Sequence, residues 1–274
     1  MDTQNRIKKD PVLLQMTRQA ENDTYIIGES FFSNKLRRFT PSRIRFEDKL
    51  TLIPAIRLCD AGRKTAVLNF ANPMKPGGGV LRGANAQEEY LCRASNLYNC
   101  LISPGAAAFY QKHNELFRMD LSHKMFLGTD TVIYSPGVTF FREDQGYEPD
   151  NINCRPEQVY TENWRKIDVI TCAAPFFNTV NDVLPNGDLY HLFSRRIQNI
   201  LESAIENEVD SLVLGAFGCG AFNNPPSVVS KAFYNIFLMD RYRYAFADVI
   251  FAVKRTGNFS KNVEAFNTAF QSFP

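Results

Sequence analysis

Apolar residues along this chain fall into two rhythms. Short uninterrupted runs, Thr65–Phe70 (TAVLNF), Ile167–Ala173 (IDVITCA), Ser211–Ala216 (SLVLGA) and Asp248–Val253 (DVIFAV), have the length and β-branched content of strands buried on both faces. Thr131–Tyr134 and Val138–Phe141 predict two further short strands around Ser135-Pro136-Gly137. Between these runs, apolar positions recur every three or four residues. They predict helices over Ala84–Leu101, Ala106–Phe117, Leu189–Asn207, a segment starting near Pro225, and Lys261–Phe270. In Leu189–Asn207 the apolar face is Leu192, Ile197, Ile200, Leu201 and Ile205. Ser103-Pro104-Gly105 reads as a helix stop, and the polar, turn-rich stretch Glu143–Tyr160 as a surface loop. Strands that alternate with helices imply a three-layer α/β/α sandwich around a central mixed sheet. The pattern does not distinguish among the doubly wound folds.

Ahead of these elements the chain changes character. Residues 1–23 are polar, with a short helix expected over Leu13–Ala20, and Thr24–Phe32 reads as a strand or an extended arm. Asn34–Arg45 carries Lys35, Arg37, Arg38, Arg43 and Arg45, a cluster that reads as a solvated face or as a surface for a polyanion. The expected division is an N-terminal extension over residues 1–50, packed on a main domain over 51–274.

Composition narrows the function classes. With 45% hydrophobic and 22% charged residues in 274, the chain has material for a substantial core. A formal charge of +2 calls for neither nucleic acid nor an anionic membrane surface. No apolar run is long enough to span a bilayer. The six cysteines (59, 92, 100, 154, 172 and 219) form no CxxC pair, so reduced thiols and a cytoplasmic setting are expected. His113, His123 and His191 are too dispersed for a zinc-binding spacing, and no metal or cofactor is expected.

Candidate chemistry concentrates in Thr65–Asn96. The strand Thr65–Phe70 leads into a turn-rich segment containing Gly77-Gly78-Gly79. Seven residues later Gln87-Glu88-Glu89 opens a helix. Consecutive glycines suit positive φ or a close approach to the backbone, and a helix N-terminus favours an anion. Taken separately, first-turn acids complement a helix dipole and a glycine cluster makes a tight loop. Together they suggest an anion cradle beside an acid/base pair. A second glycine loop, Gly215–Phe222 (GAFGCGAF), follows another predicted strand. Loops beyond the carboxyl ends of strands share one crevice in open α/β sheets, so backbone N–H groups of the two loops are candidates for a diphosphate clamp. Asn72 reads either as an Asx-turn residue before Pro73 or as a ligand contact. Cys219, flanked by glycines but with no nearby His or Asn partner, is a poor nucleophile candidate.

The spaced GGG and QEE triplets, with Asn69-Phe70-Ala71-Asn72 before them and GAFGCGAF after, resemble the signature of poly(ADP-ribose) glycohydrolases of the microbial type, whose catalytic domain is a macrodomain. Weaker similarity extends over about residues 60–270. The resemblance implies an exo-acting hydrolase of the ribose–ribose O-glycosidic bonds of poly(ADP-ribose). Its partner would be the polymer or an ADP-ribosylated protein. The resemblance assigns the general acid/base to Glu89, and the ribose hydroxyls to Glu88 with Asn72. Gln87 would position the pair or touch substrate. Substrate contacts are implied for Gly77, Gly78 and Gly79 and for the diphosphate loop Gly218, Cys219, Gly220, Ala221 and Phe222, with Cys219 acting through its backbone. Phe251 is read either as an adenine-stacking ring or as core. Two other readings stand beside this one: hydrolysis of mono-ADP-ribosyl linkages, and a non-catalytic ADP-ribose-binding macrodomain. The paired glutamates argue against the second.

Overall fold

Each continuous apolar run is a strand whose successive side chains enter different cores. In the computed structural model, which describes residues 2–35, 39–119, 124–145, 157–179, 181–255 and 260–274, Ala66 and Leu68 face one apolar cluster and Val67 faces another. Val249 and Phe251 alternate with Ile250 and Ala252 in the same way. This period-two division explains why the runs show no polar alternation: both faces are covered.

The strands are β1 (Tyr25–Ile27), β2 (Arg43–Glu47), β3 (Thr65–Phe70), β4 (Met125–Phe126), β5 (Val132–Gln145), β6 (Glu157–Cys172), β7 (Phe176–Phe177), β8 (Ser211–Leu214) and β9 (Asp248–Ala252). Seven of them form one sheet in the order β1-β5-β6-β3-β8-β9-β2, while β4 and β7 pair separately. β1–β5 and β5–β6 are antiparallel, and every pairing from β6 to β2 is parallel. The helices are α1 (Asp2–Lys9), α2 (Pro11–Asp23), α3 (Leu52–Asp60), α4 (Gln87–Ala94), α5 (Leu97–Leu101), α6 (Pro104–Met119), α7 (Asn186–Glu206), α8 (Pro226–Phe237), α9 (Asp240–Arg243) and α10 (Ser260–Phe270). α3, α4, α5 and α6 cover one face of the sheet, and α7, α8 and α10 the other. The expected three-layer arrangement with a mixed sheet is present.

Residues ahead of position 50 supply both edge strands, β1 and β2, and two helices. Of the basic cluster, Arg43 and Arg45 pair with Asp248 on β9 at 2.8 and 3.0 Å, and Lys35 lies 3.5 Å from Glu206. Arg37 and Arg38 lie outside the described residues. No described helix is long and apolar enough to cross a membrane.

Several local expectations need correction. The helix expected over Ala84–Leu101 is two helices. At the break, Ser95 Oγ donates to Leu91 O and accepts from Leu97 N. Asn96 Oδ1 accepts from Thr139 N and its Nδ2 donates to Thr17 Oγ1. Such side-chain bonds compete with helical ones. Pro104 opens α6 instead of ending a helix, since the first turn needs no N–H from it. The two short strands around Ser135-Pro136-Gly137 are one strand, β5, with a bulge between Ser135 and Val138. Asp168 stabilises that bulge by accepting from Gly137 N at 2.7 Å and from Tyr134 Oη at 2.6 Å. The expected loop Glu143–Tyr160 is partly the arms of the β5–β6 hairpin; residues 146–156, including Cys154, lie outside the described residues. Polar cross-strand pairs such as Asp144 with Gln158 hide that hairpin from a search for apolar runs.

Candidate active site

β3 and β8 are adjacent and parallel, so the loops that follow them leave the same end of the sheet. They touch at their roots. A Cβ on Gly215 would lie 2.9 Å from Phe70 Cζ, and the rings of Phe70 and Phe217 are 5.8 Å apart. Both glycine motifs therefore lie side by side at one end of the sheet.

The first motif is built around its own carboxylates. Gln87, the first residue of α4, accepts from Phe70 N at 2.9 Å and donates to Leu68 O at 2.8 Å. It thereby fastens the helix N-terminus to the end of β3. Glu88 is 3% exposed and accepts from Asn72 N at 2.8 Å and from Asn69 Nδ2 at 3.4 Å. Glu89, 7% exposed, accepts from Gly79 N at 2.8 Å and from Ala86 N at 3.2 Å. A Cβ on Gly78 would sit 2.5 Å from Glu89 Oε1 and 3.0 Å from Glu88 Oε2, and the sum of those distances, 5.5 Å, bounds the separation of the two oxygens. Burial pushes the Glu88 carboxyl up from 4.5 to about 8. The N–H of Asn72, the Asn69 amide and the N–H of Gly77 oppose that rise, and the Glu89 charge adds to it.

The glycines are required by this packing. Gly77 and Gly78 have φ of +65° and +57°, and Tyr98 lies against the Cα of Gly77. Their N–H groups are already engaged. Gly78 N donates to Lys75 O and Gly79 N to Glu89, while the N–H of Gly77 favours the charged form of Glu88. The triplet thus cradles the chain's own carboxylates. Asn72 forms the Asx turn, with Oδ1 accepting from Met74 N and Lys75 N; its Nδ2 has no partner among the described residues.

The second loop is the reverse case. Cys219 N donates to Ala216 O, but the N–H groups of Gly218, Gly220, Ala221 and Phe222 have no partner among the described residues. Gly218 has φ +74°, and a Cβ there would meet Ala174 Cβ at 2.4 Å. A Cβ on Gly220 would meet nothing within 4 Å, so that position is open. Asn224 fixes the loop, donating to Pro175 O at 2.7 Å and Gly218 O at 2.9 Å. The ring of Phe222 packs edge-on against Phe176 at 5.5 Å. Burial pushes the Cys219 thiol up, away from the thiolate a nucleophile needs. Phe251 is core: it is fully buried and stacks on Phe270 at 3.9 Å, so no adenine can reach it.

Asn69, Asn224 and Tyr98 are parts of this site that the residue pattern did not single out. Asn69 carries the available signal, an amide inside a strand that is otherwise apolar. Among the described residues no group of three or more His, Cys, Asp or Glu is placed to hold a metal ion, and His123 lies outside them.

Residues 4–143 match the family described as microbial-type PARG, catalytic domain. The chain belongs to that family. It is similar to poly(ADP-ribose) glycohydrolase (PARG) from Thermomonospora curvata, with 31% identity and a TM-score of 0.76 over 93% of this chain and 89% of that one. A structure of the same enzyme bound to the inhibitor ADP-HPD matches at 31% identity and a TM-score of 0.75, covering 93% and 88%. PARG from Deinococcus radiodurans in complex with ADP-ribose matches at 28% identity and a TM-score of 0.72, covering 92% and 96%. No curated protein matches. The PARG match spans the first glycine motif, the paired glutamates and the β5 arm, while the structural likeness extends over 93% of the chain.

Proposed function

We propose that this PARG-family chain is a poly(ADP-ribose) glycohydrolase that works from the polymer end, hydrolysing the ribose–ribose O-glycosidic bond and releasing ADP-ribose. The observation that carries this reading is a pair of buried carboxyls, Glu88 and Glu89, each held by backbone N–H donors, at the same end of the sheet as a loop whose N–H groups have no partner among the described residues.

In this reading the N–H groups of Gly218, Gly220, Ala221 and Phe222 take the diphosphate, and Phe222 closes over it. Asn72 Nδ2 and Glu88 orient the adjoining ribose. Glu89 gives its proton to the leaving ribose oxygen as the C1–O bond breaks. The anomeric carbon becomes oxocarbenium-like, and the neighbouring diphosphate stabilises that charge. Glu89, now ionised, takes a proton from the attacking water, whose oxygen forms the new bond to C1. The cycle returns Glu89 protonated and consumes one water. Gly77, Gly78 and Gly79 act indirectly, by letting the carboxylates approach the loop. No step draws on a cofactor. We further propose that residues 51–274 form the catalytic unit with 1–50 as its packed extension, and that the enzyme works in the cytoplasm, in keeping with the unpaired thiols of Cys59, Cys92, Cys100, Cys172 and Cys219.

The test is product analysis. Labelled polymer and mono-ADP-ribosylated protein are each incubated with wild type and with Glu89→Gln. Free ADP-ribose from polymer, falling at least ~10²-fold in the variant while ADP-ribose binding survives, is the expected result. Release from mono-modified protein alone would turn the reading to the mono-ADP-ribosyl linkage, and binding without turnover of either would make the chain a reader. Oligomeric first products would overturn action from the end.

A further inference from the structure

The second loop holds a shape that a short chain does not adopt unaided. Gly218 and Asn223 both have positive φ, +74° and +60°, and such conformations persist where the surroundings over-determine them. Here the surroundings are a two-stranded ribbon, β4 with β7, that stands apart from the main sheet. Phe177 N on β7 donates to Phe222 O at 3.2 Å, and Asn223 Nδ2 donates to Phe177 O at 2.7 Å and Asn178 O at 3.3 Å. Asn224, 2% exposed, donates to Pro175 O just ahead of β7, and Ala174 lies against Gly218. The far end of the loop is therefore anchored on residues 174–178.

That ribbon is in turn fixed by one buried side chain. Arg196, in the middle of α7, is fully buried. Its Nη1 donates to Ala173 O at 2.8 Å, ahead of β7, and its Nη2 donates to Leu127 O at 2.9 Å, directly after β4. Nε donates to Asp130 Oδ1 at 3.1 Å, while Asn199 on the same helix donates to Asp130 O at 2.6 Å. One planar guanidinium thereby joins the segment leaving β4, the segment entering β7 and the helix behind them. A buried ion pair adds little stability over an apolar pair of the same volume. What the guanidinium supplies is a rigid fork of donors, which neither lysine nor an apolar residue reproduces.

We infer that Arg196 is a positioning residue for the second loop: through Ala173 and Leu127 it sets the β4–β7 ribbon, and through Asn223 and Asn224 the ribbon sets the N–H groups that take the diphosphate. The inference rests on the proposed role of that loop and adds to it a residue that touches no substrate. The guanidinium is spent on Asp130 and two carbonyl oxygens, so it acts by shape and not as a counter-ion. Glu88 and Glu89 are held separately, by the N–H groups of Asn72 and Gly79. Substrate binding therefore depends on Arg196 more than the chemical step does.

The experiment measures ADP-ribose affinity by calorimetry, steady-state rates on polymer, and thermal melts. Arg196→Lys keeps the charge but cannot reach Asp130 and both carbonyls at once. Arg196→Met/Asp130→Leu removes the pair together, so no charge is left buried if the single variant fails to fold. Asn223→Gly suits the φ of +60° and removes only the side-chain tie to the ribbon. Each should bind ADP-ribose about tenfold more weakly, as for one misdirected hydrogen bond to a charged group. KM for polymer should rise in step, with kcat held. Combining Asn223→Gly with Arg196→Met/Asp130→Leu should cost less than the two losses together, because they share one path. Arg241→Lys is the control, since Arg241 is bonded instead to Glu202 and Ser33 O; it should lower the melt and leave affinity unchanged. Wild-type affinity in a folded Arg196 variant overturns the inference, as do strict additivity and an equal loss in Arg241→Lys. Wild-type affinity in Asn223→Gly overturns it too, whatever the fold of the others. Wild type that binds no ADP-ribose overturns the reading of the loop itself, a distinct outcome.

Discussion

Gly78→Ala is the smallest change that tests whether the first loop exists to admit the carboxylates. The added Cβ would lie 2.5 Å from Glu89 Oε1, and ordinary contact begins at 3.4 Å, so that oxygen must retreat by about 0.9 Å. It cannot do so quietly. The same oxygen accepts from Gly79 N at 2.8 Å, and Glu88 Oε2, at 3.0 Å from the new carbon, is held by Asn72 N. A reacting group displaced by about 1 Å costs on the order of 10²-fold in rate, and that is the expected fall in kcat. The φ of +57° adds backbone strain of about 1–2 kcal/mol to stability.

Gly83→Ala separates the two effects. Gly83 has φ +78°, but a Cβ there meets nothing within 4 Å. It should lose similar stability and keep its turnover. The assay is release of labelled ADP-ribose from polymer under single-turnover conditions, paired with thermal melts. Near-normal turnover in Gly78→Ala would refute the packing argument. Equal loss in both variants would refute it too, since strain alone would then explain the result.

Gly220→Val should abolish ADP-ribose binding by calorimetry while the protein still melts cooperatively, because the new side chain enters open space beside the loop's N–H groups rather than packed protein; unchanged affinity would make the second loop a structural turn. Turnover should persist in EDTA and gain nothing from added Mg²⁺ or Zn²⁺, since the proposed acid/base is a carboxyl that needs no metal-bound water; loss that a metal restores would point to unrecognised ligands. Glu88, raised from 4.5 to about 8, binds its proton more tightly folded than unfolded, so its contribution is full below pH 4.5 and lost as pH rises towards 8. Between pH 5.5 and 7.5 wild type should lose about 2–3 kcal/mol more than Glu88→Gln in chemical denaturation, at about 1.4 kcal/mol per pH unit; parallel pH dependences would show that Glu88 is ionised throughout. Burial also raises Asp144, to about 6, which acts alike on both proteins and cancels in the comparison.

The strands that carry the site were legible because burial on both faces leaves an apolar run with nothing to imitate it: Thr65–Phe70 has the bounds predicted for it, and Ser211–Leu214 differs by two residues. The β5–β6 hairpin was not, because its arms leave the apolar sheet and pair polar residues. The break between α4 and α5 depends on Asn96 reaching Thr17 and Thr139, contacts remote in sequence that no local propensity contains. At the site, residue identities pointed to the acidic pair and both loops. The direction of the first loop's N–H groups was not legible, since it depends on which acceptors the fold brings near them. Asn72 shows the same limit, because an Asx turn and a ligand contact call for the same residue. The fold assigns Oδ1 to the turn and leaves Nδ2.

Two glycine motifs with similar composition therefore do opposite work, and the division follows from what each loop meets. The first precedes a helix whose first turn carries two acids, and those acids capture its donors. Buried carboxylates without such donors would be costly, and the N–H of Gly79 is spent on Glu89 in this way. The second loop precedes α8, whose first turn begins at Pro226 with no acidic residue. Nothing there competes for the donors, and Asn224 holds the loop through carbonyl oxygens, which leaves the N–H groups outward.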